Sequence, residues 1–236
     1  MTCWRQATGT KPGNSYASII RTSDAQGQYG SGAGVVAIID TGVDAHHPVF
    51  GGHVLPGYDF TRDRAGDASD LSDLDGSVTA ILEAAPDSSA LGFDILNGSV
   101  TAILEGSVTA ILETNSALPQ AFGHGTMVAG LVHLVAPTAN ILPLKAFRAD
   151  GSSTLFDIVR AIYYATDNGA RVINMSFSLA KDSRALARAI KYATDHGVLV
   201  VAAAGNARSN VNVFPAAYSN ATGVASTTNL DVRSAF

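Results

Sequence analysis

Apolar residues along this chain fall into short continuous runs, separated by stretches in which they recur every three or four positions. "VVAIID" (35–40) is almost wholly apolar and β-branched, the composition of a strand buried on both faces, and an aspartate closes it. Runs of the same kind follow at 139–147 ("ANILPLKAF"), 171–177 ("RVINMSF"), 198–205 ("VLVVAAAG") and, more weakly, 221–227 ("ATGVAST"). Helices are predicted over 125–135, about 154–168 and about 183–196. Residues 1–34 are polar and Gly-rich and read as a loose approach to the first strand.

Two segments share one pattern, "AIYYATDNGARVINMS" and "AIKYATDHGVLVVAAA", in which a helix ends at a glycine suited to its C-terminal cap and a buried strand follows. Successive αβ units imply parallel strands joined by right-handed crossovers. The expected fold is therefore α/β: a three-layer, open, mostly parallel sheet with helices on both faces and sites at the carboxyl ends of its strands. One segment breaks the rhythm. "GSVTAILE" occurs at 76–83, 98–105 and 106–113, with unequal spacing that argues against a regular solenoid. It reads as a repeat-expanded surface insertion covering about 70–118, in a domain running from 34 to 236 behind an extension of 1–33.

Composition narrows the function. With 47% hydrophobic residues the 236-residue chain can bury a substantial core. A net charge of −5 without a Lys/Arg run argues against nucleic-acid or anionic-membrane partners, and no apolar stretch has bilayer-spanning length. The single cysteine, Cys3, excludes an intramolecular disulfide framework and any Cys-rich metal site.

Among groups able to do chemistry, Asp40 ends a buried strand, where a carboxylate needs a partner. It could instead cap the turn "TGVD". His124 stands between two glycines in "GHGTMVAG" (123–130), at a predicted helix start, and could simply fill space there. Metal binding fits the histidines poorly: His46 and His47 are adjacent, His124 and His133 lie on different helix faces, and no "HExxH" or "CxxC" occurs. The glycines of "GSGAG" precede their strand, whereas a nucleotide-phosphate cradle needs them after it. "AAAGN" (202–206) adds an amide, Asn206, at the same sheet edge. An acid, a base and an amide donor at strand ends describe acyl transfer, in which the acid orients the base, the base activates a nucleophile and the amide binds the oxyanion.

"VVAIIDTGVDAHHP", "GHGTMVAG", "RVINMSFS" and "VVAAAGN", in this order, resemble the subtilisin-like serine proteases, the subtilases. The resemblance runs from about residue 34 to the last residue, interrupted by the repeats. It implies that Asp40 is the triad acid, His124 the general base and Asn206 the oxyanion donor. It further implies that Ser176, Phe177 and Ser178 form one wall of a cleft for an extended polypeptide and Ala203, Ala204 and Gly205 the other. "ADGSSTLFD" (149–157) matches the loop flanking that cleft further upstream of the scissile bond. Complete family members are expected outside the cell or at its envelope.

The departures are equally specific. The family's nucleophile lies in a Gly-Thr-Ser segment opening a later buried helix, and no "GTS" occurs in these 236 residues. The expectation is a C-terminally incomplete catalytic domain that exposes apolar surface and an unpaired sheet edge, with its own missing segment as a partner. Ser152 and Ser153 are the nearest substitutes, but the resemblance assigns them to the cleft rim. Val49 occupies the position of a common calcium ligand and the Asn-rich calcium loop is missing, so no metal or cofactor is expected. The alternative function is a non-catalytic peptide-binding relic.

Overall fold

The computed structural model describes residues 20–74, 119, 121–206, 211–228, 230 and 232–234. The "GSVTAILE" copies lie outside the described residues, and of the surface insertion expected at about 70–118 only residues 70–74 are described, where Asp70 is 1% exposed. Among the described residues seven strands form one sheet: β1 (Val35–Asp40), β2 (Tyr58–Asp59), β3 (Arg64–Ala65), β4 (Asn140–Lys145), β5 (Ala170–Met175), β6 (Leu199–Ala203) and β7 (Thr222–Val224). Their order is β3-β2-β4-β1-β5-β6-β7, and every pairing is parallel except β2 with β3. The α/β sheet and its five longer strands follow the hydrophobic runs. Strands β2 and β3 are two residues each, too short to carry a periodic signal.

Among the described residues four α-helices accompany the sheet: α1 (Thr22–Tyr29), α2 (His124–Val135), α3 (Leu155–Asp167) and α4 (Arg184–Asp195). Helices α3 and α4 are amphipathic and start at Thr154 and Ser183, whose side chains accept from the amides of Asp157 and Leu186. They end just before Gly169 and Gly197, both with φ 78°. Their apolar stripes bury Ile158, Ala161, Ile162, Leu186 and Ile190 against Ala37, Ile39, Ile173, Met175 and Val200.

Helix α2 covers the opposite face. There Ala129 meets Ile38, Val43, Phe50 and Ile141, flanked by Val36 and Val132. Side chains alternate across a strand, so Val36, Ile38 and Asp40 of β1 point to the α2 side while Ala37 and Ile39 point to α3 and α4. The same alternation along β6 turns Leu199 to the α2 side, where it is 52% exposed. Val224 of β7 is exposed to the same degree.

Residues 1–34 are not uniformly the loose approach expected of them, because Thr22–Tyr29 is helical. Helix α1 is polar with hardly any apolar stripe, and its anchor is tertiary: the Gln26 amide donates to the carbonyls of Leu134 and Val135, both at 3.0 Å. These belong to the last turn of α2, whose carbonyls have no partner within the helix. Among the described residues no helix is long and apolar enough to cross a membrane.

Candidate active site

Asp40 is the last residue of the central strand and His124 the first of α2, the helix that covers the face toward which Asp40 points. Their side chains meet: His124 Nδ1 lies 2.6 Å from Asp40 Oδ1. An ionised carboxylate can only accept, so Nδ1 carries the proton of this bond and Nε2 keeps a lone pair for proton transfer. Asp40 is 4% exposed and His124 28%, so the acid is shielded while the base remains accessible. The Thr41 amide donates to the same Asp40 oxygen at 2.8 Å, so Asp40 caps its turn and binds the imidazole at once. The hydrogen bond to Asp40 raises the His124 pKa above its usual value, against the pull of burial.

The start of α2 is fixed by backbone contact. Gly125 has no room for a side chain, since a Cβ there would come within 2.1 Å of the Gly42 carbonyl oxygen. Around this contact Gly125 N donates to Thr41 Oγ1 at 3.2 Å and Asp44 N donates to Thr126 Oγ1 at 2.9 Å. The "HGT" triplet is thereby sutured to the loop that leaves β1.

Beneath the pair lies a second charged layer. Lys145 is the parallel register partner of Asp40 on β4, shares its sheet face and is fully buried. All three of its ammonium protons are used: Nζ donates to Thr41 O (2.8 Å), Phe147 O (2.7 Å) and Asp73 Oδ2 (2.6 Å). Asp73 also accepts from Ala149 N at 2.7 Å and pairs with Arg62 at 2.7 Å. Burial works against its ionisation, yet Lys145 and these donors hold Asp73 below the usual carboxylate range. Asp70, 1% exposed, accepts from Gly123 N at 2.5 Å, and burial pushes its carboxyl up to about 7. Asp70–Asp73 form a single 3₁₀ turn. Sequence reasoning passed over all three residues; the one available signal was a lysine inside the apolar run "ILPLKAF".

Ser176, Phe177 and Ser178 continue directly from β5; Ala203 ends β6 beside it, and Ala204 and Gly205 follow. Asn174 donates to Ser176 Oγ at 2.8 Å, and the Phe177 ring packs 4.8 Å from that of Phe147. Ala204 N is tied to Val224 O at 2.9 Å. A Cβ on Gly205 would stand 3.4 Å from Ser178 Oγ, so the two segments touch at their ends. Asn206 follows, exposed, at the carboxyl end of the second strand from β1. The structure thus brings Asp40 and His124 into contact and sets the six wall residues and Asn206 along the same carboxyl-end rim.

Ser153 is occupied structurally, donating to the carbonyls of Ala146 (2.6 Å) and Thr154 (3.2 Å). Among the described residues no group of three or more His, Cys, Asp or Glu side chains could hold a metal ion.

A profile of the subtilase family matches residues 31–236. The chain belongs to the subtilase family. Its curated relatives include a thermophilic serine proteinase of Bacillus sp. (strain AK1), 35% identical over 207 residues, and thermitase of Thermoactinomyces vulgaris, 34% identical over 207 residues. Each alignment covers 88% of this subtilase chain but only 41% and 59% of those relatives. A cold-adapted subtilisin-like serine proteinase superposes with a TM-score of 0.56 at 26% identity, over 87% of this chain and 58% of its own. A lanthipeptide protease shares the fold at a TM-score of 0.65 and 22% identity, over 97% of this chain and 60% of its own.

Proposed function

We propose that this chain carries the acid, base and oxyanion donor of a serine endopeptidase acting on extended polypeptides. The observation that carries the reading is the 2.6 Å hydrogen bond between His124 and Asp40, with the histidine side chain still 28% exposed. The attacking serine comes from a Gly-Thr-Ser segment that these 236 residues do not contain.

As the serine oxygen bonds to the peptide carbonyl carbon, its proton passes to His124 Nε2 and the carbonyl π electrons move onto oxygen. Asp40 holds the imidazole in the required tautomer and faces the imidazolium that forms, while the Asn206 amide donates to the oxyanion. His124 then gives its proton to the leaving nitrogen as the C–N bond breaks, and water repeats the cycle on the acyl-enzyme. The backbone at 176–178 and 203–205 hydrogen-bonds the substrate as an added strand, which explains broad sequence tolerance.

The test is labelling by a fluorophosphonate probe and cleavage of a peptide substrate, by the chain alone and by the chain mixed with a C-terminal segment containing the Gly-Thr-Ser helix. Labelling and cleavage only in the mixture, both lost in His124→Ala, are expected. Peptide binding without labelling in the mixture would replace this reading with the non-catalytic one, and labelling of the chain alone would place the nucleophile among its own serines.

A further inference from the structure

Three backbone segments converge behind His124: residues 41–43 after β1, residues 68–70, and residues 123–125 opening α2. Their closeness is steric, because a Cβ on Gly42 would come within 2.7 Å of Ala68 O and 2.8 Å of Asp70 N. Val43 N donates to Ala68 O at 2.8 Å, which joins the first two segments, and Thr41 Oγ1 accepts from Gly125 N, which joins the first and third. The remaining side of this triangle is closed by one side chain, the buried carboxylate of Asp70 on the amide of Gly123. Gly123 precedes His124 in a left-handed conformation (φ 78°), and no side chain caps the helix there in the ordinary way. The amide that Asp70 takes therefore belongs to the turn that sets the direction in which α2 departs.

We propose that Asp70 is a positioning residue for His124: by holding the Gly123 amide it fixes the turn from which α2 starts, and so aims the imidazole at Asp40. This rests on the reading of Asp40 and His124 as the acid–base pair. The groups acting on the Asp70 carboxyl are the Gly123 amide, Lys145 and Asp40, with its own backbone amide. Ionised, it adds to Asp40 in favouring protonated His124. It touches no substrate and acts only through the histidine.

The two contributions separate by substitution. Asparagine at 70 still offers a carbonyl oxygen to Gly123 N–H but no charge, whereas alanine offers neither. The experiment is NMR of the 236-residue chain as wild type, Asp70→Asn and Asp70→Ala. It follows the low-field proton of the His124–Asp40 bond, hydrogen exchange of the Gly123 amide and the titration midpoint of His124. Wild type is expected to show the low-field proton and a protected Gly123 amide. Asp70→Asn keeps both and lowers the His124 midpoint, while Asp70→Ala speeds Gly123 exchange by about tenfold or more and weakens the low-field signal. A wild type without the low-field proton overturns the acid–base pairing itself. A normal wild type with Asp70→Ala indistinguishable from it in both signals overturns the positioning role alone. Should Asp70→Ala fail to fold, a wild-type Gly123 amide that exchanges as fast as an open, unbonded amide overturns the positioning role.

Discussion

On the α3/α4 side of the sheet Ile158, Ile162, Leu186 and Ile190 interlock with Ile173, Met175 and Val200, and the buried cluster there is wholly apolar. On the α2 side the apolar cluster is far smaller, and it gives way toward the strand ends to Asp40, Lys145 and Asp70, all nearly inaccessible to water. Both faces use the same strands, whose alternate residues are dealt to opposite sides. One face is held by packing and tolerates relaxation around a lost methyl group. The other is held by hydrogen-bonded charges, where removing one partner strands the rest.

That contrast can be broken most sharply at His124. With the Gly-Thr-Ser segment supplied, His124→Ala should lower peptide turnover by about ten-thousand- to million-fold, the range known for subtilisin's own triad, and lower urea stability by about 1–3 kcal/mol as buried Asp40 loses its partner. Lys145→Met comes next. It leaves Asp73 and two carbonyls without their donor, and a loss of about 3–5 kcal/mol in urea unfolding is expected, although methionine fills much the same volume. Ile162→Ala on the opposite face should cost about 2–5 kcal/mol through lost burial and a cavity, with activity per folded molecule unchanged.

An effect of comparable size separates the faces by pH. The Asp70 carboxyl is raised from 3.8 to about 7, so the folded state holds the proton more tightly than the unfolded one. Its stabilisation is complete below about pH 4 and is lost as pH rises toward 7, with a slope of at most about 1.4 kcal/mol per pH unit. His124, raised by its bond to Asp40, loses its contribution in the same direction at higher pH, so urea midpoints between pH 4 and 8 should be compared with those of Asp70→Asn, in which only the first component disappears. The smallest change lies on the surface of α4, where Lys191→Ala removes an exposed pair with Asp195 and should alter stability by less than about 0.5 kcal/mol.

The apolar face was the more legible in the sequence. Buried runs and amphipathic stripes announce β1, β4, β5, β6, α3 and α4 because their signal is local, spread over six or more positions in most cases. Helix α1 and strands β2 and β3 escaped because a polar helix pinned by Gln26 and strands of two residues have no period to read. At the site, Asp40 and His124 could be singled out from the short motifs around them. The layer beneath could not, because Asp70 and Asp73 in "DLSDLD" look like any solvated loop until Gly123 and Lys145 arrive from distant segments to bind them.

The contact between Gly125 and the Gly42 carbonyl has a consequence for how the geometry of the proposed acid–base pair ages under mutation. Two main chains resting on each other act as a mechanical stop, whose position depends on no rotamer and on no side-chain volume. The outward flank of α2, with Leu131 and Val135 partly exposed, can therefore drift in composition over many generations without resetting the reach of the histidine at its tip.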